Sequence, residues 1–371
     1  MTQDVFSFKD PELGRRLLDR LQADLAPPLR FMEVCGTHTV ALFRSGLHSL
    51  LPRGLEHISG PGCPVCVTSG GELALCLELA QREDVLVVTF GDMLRVPGPD
   101  GLSLKAVQGL GGRVEVCYAP FEALEIAQTR PGTEVVLLGV GFETTAPTVA
   151  ATIREAKALR ISNFSVLSLH KLVPPALDYL LSTGTGAVDG FLLPGHVSSI
   201  IGLEPYAFLG DRYALPSVVA GFEPLDILMA LAMLVRQQRQ GRGEVENQYG
   251  RAVKDQGNPT ALRIMQEVFR PRDADWRGLG VIPHSGLGLS TPYEAFDAIK
   301  RFDLEPRRLP EPRGCACGQV LQGLIRPDAC PLFQKQCTPA HPVGPCMVSS
   351  EGSCAAYAHY GSNVAAGQAE T

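Results

Sequence analysis

Through its first 230 or so residues the chain alternates short, continuously apolar runs with helix-like segments. Apolar, β-branched runs at 31–34, 55–58, 85–90 and 114–118 read as strands, and so do those at 135–140, 164–169, 190–193 and 217–220. Between them, 40–51, 71–82, 148–159 and 174–182 read as helices. Strands that are apolar throughout and separated by helices predict parallel sheets covered on both faces. The fold class is therefore α/β, with Rossmann-like lobes.

The eight strands fall into two runs of four that look like copies of one unit. In each run the first strand enters a loop rich in Gly and Thr and then a helix: Cys35-Gly-Thr-His-Thr39 in one, Gly141-Phe-Glu-Thr-Thr145 in the other. Open α/β sheets bind ligands at the carboxyl ends of their strands, so two such edges facing each other would form a cleft. This places one lobe at 1–125 and a second at 126–225. Residues 226–371 form a third region, in which two helices at 224–239 and 259–269 are joined by a polar, Gly-rich segment. From Pro306 onward Pro, Gly and Cys dominate and periodicity fades. That tail has too little apolar surface to offset its own chain entropy, which makes a bound metal a natural stabiliser.

The chain has 371 residues, room for two or three domains and a well-buried core. Its net charge of −6 and lack of Lys/Arg runs leave no electrostatic footprint for nucleic acid. Residues 1–10 lack the basic start and apolar core of a signal peptide, and the apolar stretch 225–235 is too short to span a bilayer. A cytoplasmic location is expected, where clustered cysteines serve metals or redox chemistry more often than structural disulfides.

The eleven cysteines divide accordingly. Cys76 and Cys117 lie inside apolar runs, and the others sit in motifs. Gly60-Pro-Gly-Cys-Pro-Val-Cys66 follows a strand and precedes a helix, a setting that stabilises thiolates. The pair Cys63 and Cys66 reads as a redox-active dithiol or as half of a metal site. Cys35 stands at a strand end with His38 three residues later, Gly36 leaving its sulfur accessible from the loop. A soft thiolate beside an imidazole suits iron, copper or zinc. Thr37 or Thr39 reads as the cap of the following helix.

Gly139-Val-Gly-Phe-Glu-Thr-Thr-Ala-Pro147 superficially resembles a dinucleotide loop, but Thr144 replaces the third glycine and Glu143 would set negative charge where a pyrophosphate should lie. The nucleotide reading is rejected, and Glu143 reads as a ligand-orienting or proton-accepting acid, or as a solvated loop acid. His196 in Leu193-Pro-Gly-His-Val-Ser198 ends another strand, equivalent in place to the Cys63/Cys66 loop. Asp92 and Arg95 read as a buried ion pair. Six tail cysteines, Cys315, Cys317, Cys330, Cys337, Cys346 and Cys354, match neither a zinc-finger nor a bacterial ferredoxin spacing. Their number and softness favour an iron–sulfur cluster or zinc.

Taken in order, these motifs, with Ile282-Pro-His-Ser-Gly-Leu287 and Cys346-Met-Val-Ser-Ser-Glu-Gly-Ser-Cys-Ala-Ala-Tyr357, closely resemble the HypD family of hydrogenase maturation factors. The resemblance implies two α/β lobes and a third region with a [4Fe-4S] cluster. It implies a scaffold that, with a HypC-type small chaperone, assembles the Fe(CN)2CO unit of [NiFe]-hydrogenases, a HypE-type protein donating cyanide. Cys35 would hold the iron, with His38 beside it. Cys63 and Cys66 would be the redox pair, and Cys315, Cys330, Cys337 and Cys354 the cluster ligands, with Cys317 and Cys346 as contenders. Two rival readings differ in metal content and turnover: a cluster-dependent thiol–disulfide oxidoreductase, and a zinc-stapled interaction protein.

Overall fold

A computed structural model describes residues 10–98, 100–184 and 188–361 of the chain. All eight anticipated strands form: β1 Leu29–Glu33, β2 Leu55–Ser59, β3 Val85–Thr89, β4 Val114–Val116, β5 Glu134–Gly139, β6 Phe164–Ser168, β7 Gly190–Pro194 and β8 Ser217–Ala220. Three more were not anticipated: β9 Val245–Asn247, within the polar segment, and β10 Phe269–Trp276 with β11 Gly280–Leu289. The fold is α/β, as the apolar strands require. The strands β3, β7 and β8 are buried along their whole length, so both faces of each sheet are covered.

The strands are not shared out as two consecutive runs of four. One parallel sheet has the order β2-β1-β7-β8-β9 and the other β4-β3-β5-β6. The chain starts the first sheet, leaves after β2, builds all of the second, and returns at β7 to pair with β1. A boundary near residue 125 therefore cuts through the second sheet, between β4 and β5. Sequential strands usually neighbour one another, which is why alternation alone suggested consecutive lobes. Pairing partners in a parallel sheet are set by packing, and β1 and β7 meet with Phe31 opposite Gly190 and Glu33 opposite Leu192.

The antiparallel hairpin β10–β11 clasps the two halves. Lys171, just past β6, bridges Gly286, while Thr68 bridges Trp276 and the Arg277 N–H donates to the Val67 carbonyl at 2.9 Å. Trp276, almost fully buried, donates from Nε1 to Ser285 Oγ at 2.8 Å. This hairpin holds the segment that follows Cys63 and Cys66. The helix Gly70–Ala80 starts there with a capping box between Ser69 and Glu72.

The tail is better packed than its composition suggested. Cys317, Cys330, Cys337, Cys346 and Cys354 belong to one buried apolar cluster with Met32 and Ile58 of the first sheet, and the helix Ser353–Tyr360 lies against the helix Gly36–Arg44. The tail buries its apolar groups against the first sheet as well as against itself. Leu192, fully buried at the centre of that sheet, should lose about 2–5 kcal/mol of stability as Leu192→Ala. Leu159→Ala, at a residue 50% exposed, should change it by less than about 0.5 kcal/mol, both measured by urea unfolding.

Candidate functional site

In the first sheet the direction of strand order reverses between β1 and β7, and in the second between β3 and β5. Such switch points open a crevice beyond the carboxyl ends of the two strands. Here the two crevices share one cleft of about 530 Å³, walled by Phe90 and Asp92 after β3, Phe142 after β5, His196 after β7, and Glu351 from the tail. The expectation of two facing strand edges is met, although the strands composing each edge differ.

Cys35 follows β1 and is the N-cap of the helix Gly36–Arg44. Neither Thr37 nor Thr39 caps that helix: Thr37 Oγ1 donates to Glu351 Oε1 at 2.6 Å, and Thr39 Oγ1 donates to Glu33 Oε1. The Cys35 sulfur is not accessible from the loop. The residue is 1% exposed, because Gly36 lets the tail come close instead: a Cβ on Gly36 would sit 2.1 Å from the Glu351 carbonyl oxygen. On the other side a Cβ on Gly62 would lie 2.1 Å from the Cys35 nitrogen, and the Gly36 N–H donates to the Gly62 carbonyl at 2.9 Å. The Cys63 loop and the tail thus close around Cys35.

The Cys35 thiol lies 3.4 Å from His196 Nε2. Burial, helped by the Glu351 and Glu33 carboxylates, pushes the thiol pKa far up, so the sulfur keeps its proton unless a cation stands beside it. Burial lowers His196 to about 4, leaving a neutral ring whose Nε2 shares a hydrogen bond with the Cys35 thiol. His38 is fully buried, with Nε2 3.0 Å from the Gly221 carbonyl, and its pKa is lowered to about 3. Glu33, unremarked in the sequence, receives the Cys35 N–H at 2.8 Å. Its carboxyl is raised to about 8 by burial against the lowering effect of those hydrogen bonds.

Cys63 and Cys66 are joined by a disulfide, with Cα atoms 5.2 Å apart. Cys63 caps the short helix Pro64–Val67, whose Pro64 and Val65 line the cleft, and both cysteines are buried beneath them. Glu143 is no solvated loop acid: it is 2% exposed, accepts the Val173 N–H at 3.0 Å through Oε1, and has no partner for Oε2. Burial raises its pKa to about 7. Asp92 does not pair with Arg95. It accepts from Ser349 Oγ, and from Ser350 N and Oγ, each at 3.1 Å, while Arg95 is exposed. The tail loop between Cys346 and Cys354 supplies those serines and Glu351, so it forms one wall of the cleft.

The tail thiols stand in a chain. Cys317 Sγ is 2.7 Å from Cys346 Sγ, Cys315 bonds to Cys317, and Cys346 bonds to Cys354. Cys330 lies near enough to act on Cys315, and Cys337 Sγ accepts the Val343 N–H at 3.3 Å. Hydrogen bonds from Cys315 and Cys346, with the buried Arg277 nearby, pull the Cys317 thiol well below its ordinary range. Among the described residues no three His, Cys, Asp or Glu side chains stand ready as a metal site. Two thiolates on one zinc lie about 3.8 Å apart for a Zn–S bond of about 2.3 Å, so the thiols must spread to hold a metal group. In kind the donors fit: soft, mostly buried, and offset by a cation. Cys317 and Cys346 occupy the middle of the chain of contacts, with Cys315 and Cys354 at its ends.

Fold and site together define a two-sheet α/β protein with a thiol–imidazole pair beside a disulfide in a shared switch-point cleft, one wall of which comes from a cysteine-rich tail. The family model HypD, described as "Hydrogenase formation hypA family", matches residues 12–361. The hydrogenase maturation factor HypD of Cupriavidus necator is 47% identical over 366 residues, covering 96% of this chain and 97% of that protein. The hydrogenase expression/formation protein HupD of Azotobacter chroococcum is 47% identical over 365 residues, covering 96% of each. HypD of Escherichia coli K12 is 44% identical over 364 residues, covering 96% of this chain and 97% of that one. The chain belongs to the HypD family of hydrogenase maturation factors. Among the described residues no helix is long and apolar enough to cross a membrane.

The buried Glu143 carries a pH signature. Its folded pKa of about 7 lies above the ordinary 4.5, so the folded state binds the extra proton between those values and stability falls as pH rises through that window. Glu143→Gln keeps an acceptor for Val173 and removes the titration. Its stability relative to the parent should therefore rise by about 2–3 kcal/mol between pH 5 and pH 8 in urea titrations.

Proposed function

We infer that this hydrogenase maturation factor is a cytoplasmic assembly scaffold. On it the Fe(CN)2CO unit of a [NiFe]-hydrogenase is put together, in company with a HypC-type small chaperone and a HypE-type cyanide donor. The observation that carries the reading is the meeting of Cys35 Sγ with His196 Nε2, 3.4 Å apart at a switch point, in a cleft that the Cys63 loop and the Cys-rich tail both wall. The iron is cargo. Its positive charge supplies what the buried thiol lacks: as the sulfur binds it, the S–H proton passes to His196 Nε2 and, from a ring whose pKa is about 4, onward to water in the cleft. A low-spin iron with cyanide and carbon monoxide suits soft thiolate ligation.

Attaching diatomic ligands calls for electrons next to the iron. Reduction opens the Cys63–Cys66 disulfide and stores two electrons and two protons in two thiols, and re-forming the disulfide returns them. A [4Fe-4S] cluster, when bound, supplies single electrons. Four of the six tail thiols would hold it: Cys315, Cys330, Cys337 and Cys354 by resemblance, with Cys317 and Cys346 as well placed by their contacts. Burial of both Cys63 and Cys66 argues against exchange with the thiols of a substrate protein, since exchange requires access to a sulfur.

Purification without oxygen, with and without the small partner and under hydrogenase-inducing conditions, tests the reading by iron and sulfide assay and infrared spectroscopy. The complex should show cyanide and carbonyl stretches that Cys35→Ser abolishes. Absent stretches would overturn the assembly role, and zinc without sulfide would replace the cluster with a structural staple. Ser at both Cys63 and Cys66 should stop ligand loading yet leave the cluster's visible absorption intact; unchanged loading would remove the dithiol from the mechanism.

A further inference from the structure

A phenyl ring separates the cleft imidazole of His196 from that of His38, buried behind it. Phe222, two residues past β8, stacks on His38 with centroids 4.7 Å apart and on His196 at 4.9 Å. A carbonyl oxygen only accepts, so His38 Nε2, 3.0 Å from the Gly221 carbonyl, carries the proton of the neutral ring. Its Nδ1 is then a bare lone pair, and that atom is buried without a hydrogen-bond partner. His196 turns its own Nε2 toward the Cys35 sulfur instead.

The turn that fixes both rings is itself held by a polar brace centred on a buried carboxylate. Asp226 is fully buried in the first turn of the helix Pro224–Arg239. Its carboxylate takes both Arg251 Nη groups, Gln248 Nε2 at 2.9 Å and the Glu223 N–H at 3.3 Å. Gln248 Oε1 in turn accepts the Gly221 N–H at 3.1 Å. The Tyr249 ring, covered by the Arg251 guanidinium at 4.4 Å, wedges against the same turn: a Cβ on Gly221 would come within 2.6 Å of it, and one on Gly195, beside His196, within 2.7 Å. Only the Asp226 end of this ion pair is buried, Arg251 reaching it from the surface, and such a pair contributes more to position than to stability.

We propose that Asp226, Gln248 and Arg251 are positioning residues for the cleft. Through the Gly221–Phe222 turn they hold His38 in the Nε2–H tautomer, with Nδ1 kept as an unprotonated acceptor or metal-ligating nitrogen. That the lone pair serves the iron cargo rests on the assembly reading above; the tautomer and the brace do not.

The test uses the full chain with ¹⁵N-labelled histidine, kept anaerobic, and reads the protonation of each ring nitrogen from long-range ¹H–¹⁵N spectra. His38 should appear as a single Nε2–H form. Gln248→Leu, which leaves the Gly221 N–H unpaired, should bring in the Nδ1–H form at comparable population and lower iron bound per chain several-fold, while circular dichroism stays unchanged. Arg251→Lys, which loses the guanidinium fork at a partly exposed side chain, should shift the tautomer in the same direction and serves if Gln248→Leu fails to fold. An Nδ1–H form of His38 in the parent chain would overturn the tautomer assignment. Unchanged His38 signals in a folded variant would overturn the brace. A parent chain with the Nε2–H form but no iron in its complex would overturn the assembly reading alone.

Discussion

The close approach of three backbones at Cys35 is the constraint on which the site depends. The end of β1, the turn before Cys63 and the tail around Glu351 meet where Gly62 and Gly36 leave no room for a side chain. That contact excludes water from the thiol, carries Pro64 and Val65 into the cleft wall, and brings a stretch more than three hundred residues further along into hydrogen-bonding distance of Thr37. Packing at this density transmits displacement, so a change in the tail loop is felt at the sulfur.

Dehydration sets the electrostatics that follow. In a low-dielectric pocket, neutral forms prevail: Cys35 stays a thiol, His38 and His196 are uncharged, and Glu33 and Glu143 hold protons to about pH 8 and 7. Such a site is uncharged at rest but full of groups that ionise when positive charge arrives. This arrangement favours binding a cation over free thiol exchange. The tail differs, because hydrogen bonds from Cys315 and Cys346, with the buried Arg277 nearby, favour the Cys317 thiolate in advance.

Much of this was legible in the sequence. Continuous apolar runs located eight strands to within one or two residues, and the motifs carrying Cys35, Cys63, Glu143 and His196 were placed correctly at strand ends. The helix at 224–239 matched to the residue. Short β9 escaped because three half-buried residues carry no pattern, β10 because Pro271 and its charged residues break the apolar run, and β11 because Pro and Gly interrupt it. Asp92 was assigned to its neighbour Arg95 because sequence proximity cannot reveal a serine pair more than 250 residues away. Glu33 lies inside an anticipated strand and Phe222 just past another, and no pattern along the chain marks either as part of a site.

By itself the sequence determined the local elements, the chemistry of each motif and the family, since propensity, period and residue type act over a few positions. Only the tertiary structure decided which strands share a sheet, that β1 pairs with β7, and hence that Cys35 meets His196. It also decided that Cys35 is buried and not open, and that the tail joins the core and walls the cleft. Those outcomes depend on contacts between distant segments, whose energies come from burial and fit and leave no periodic trace along the chain.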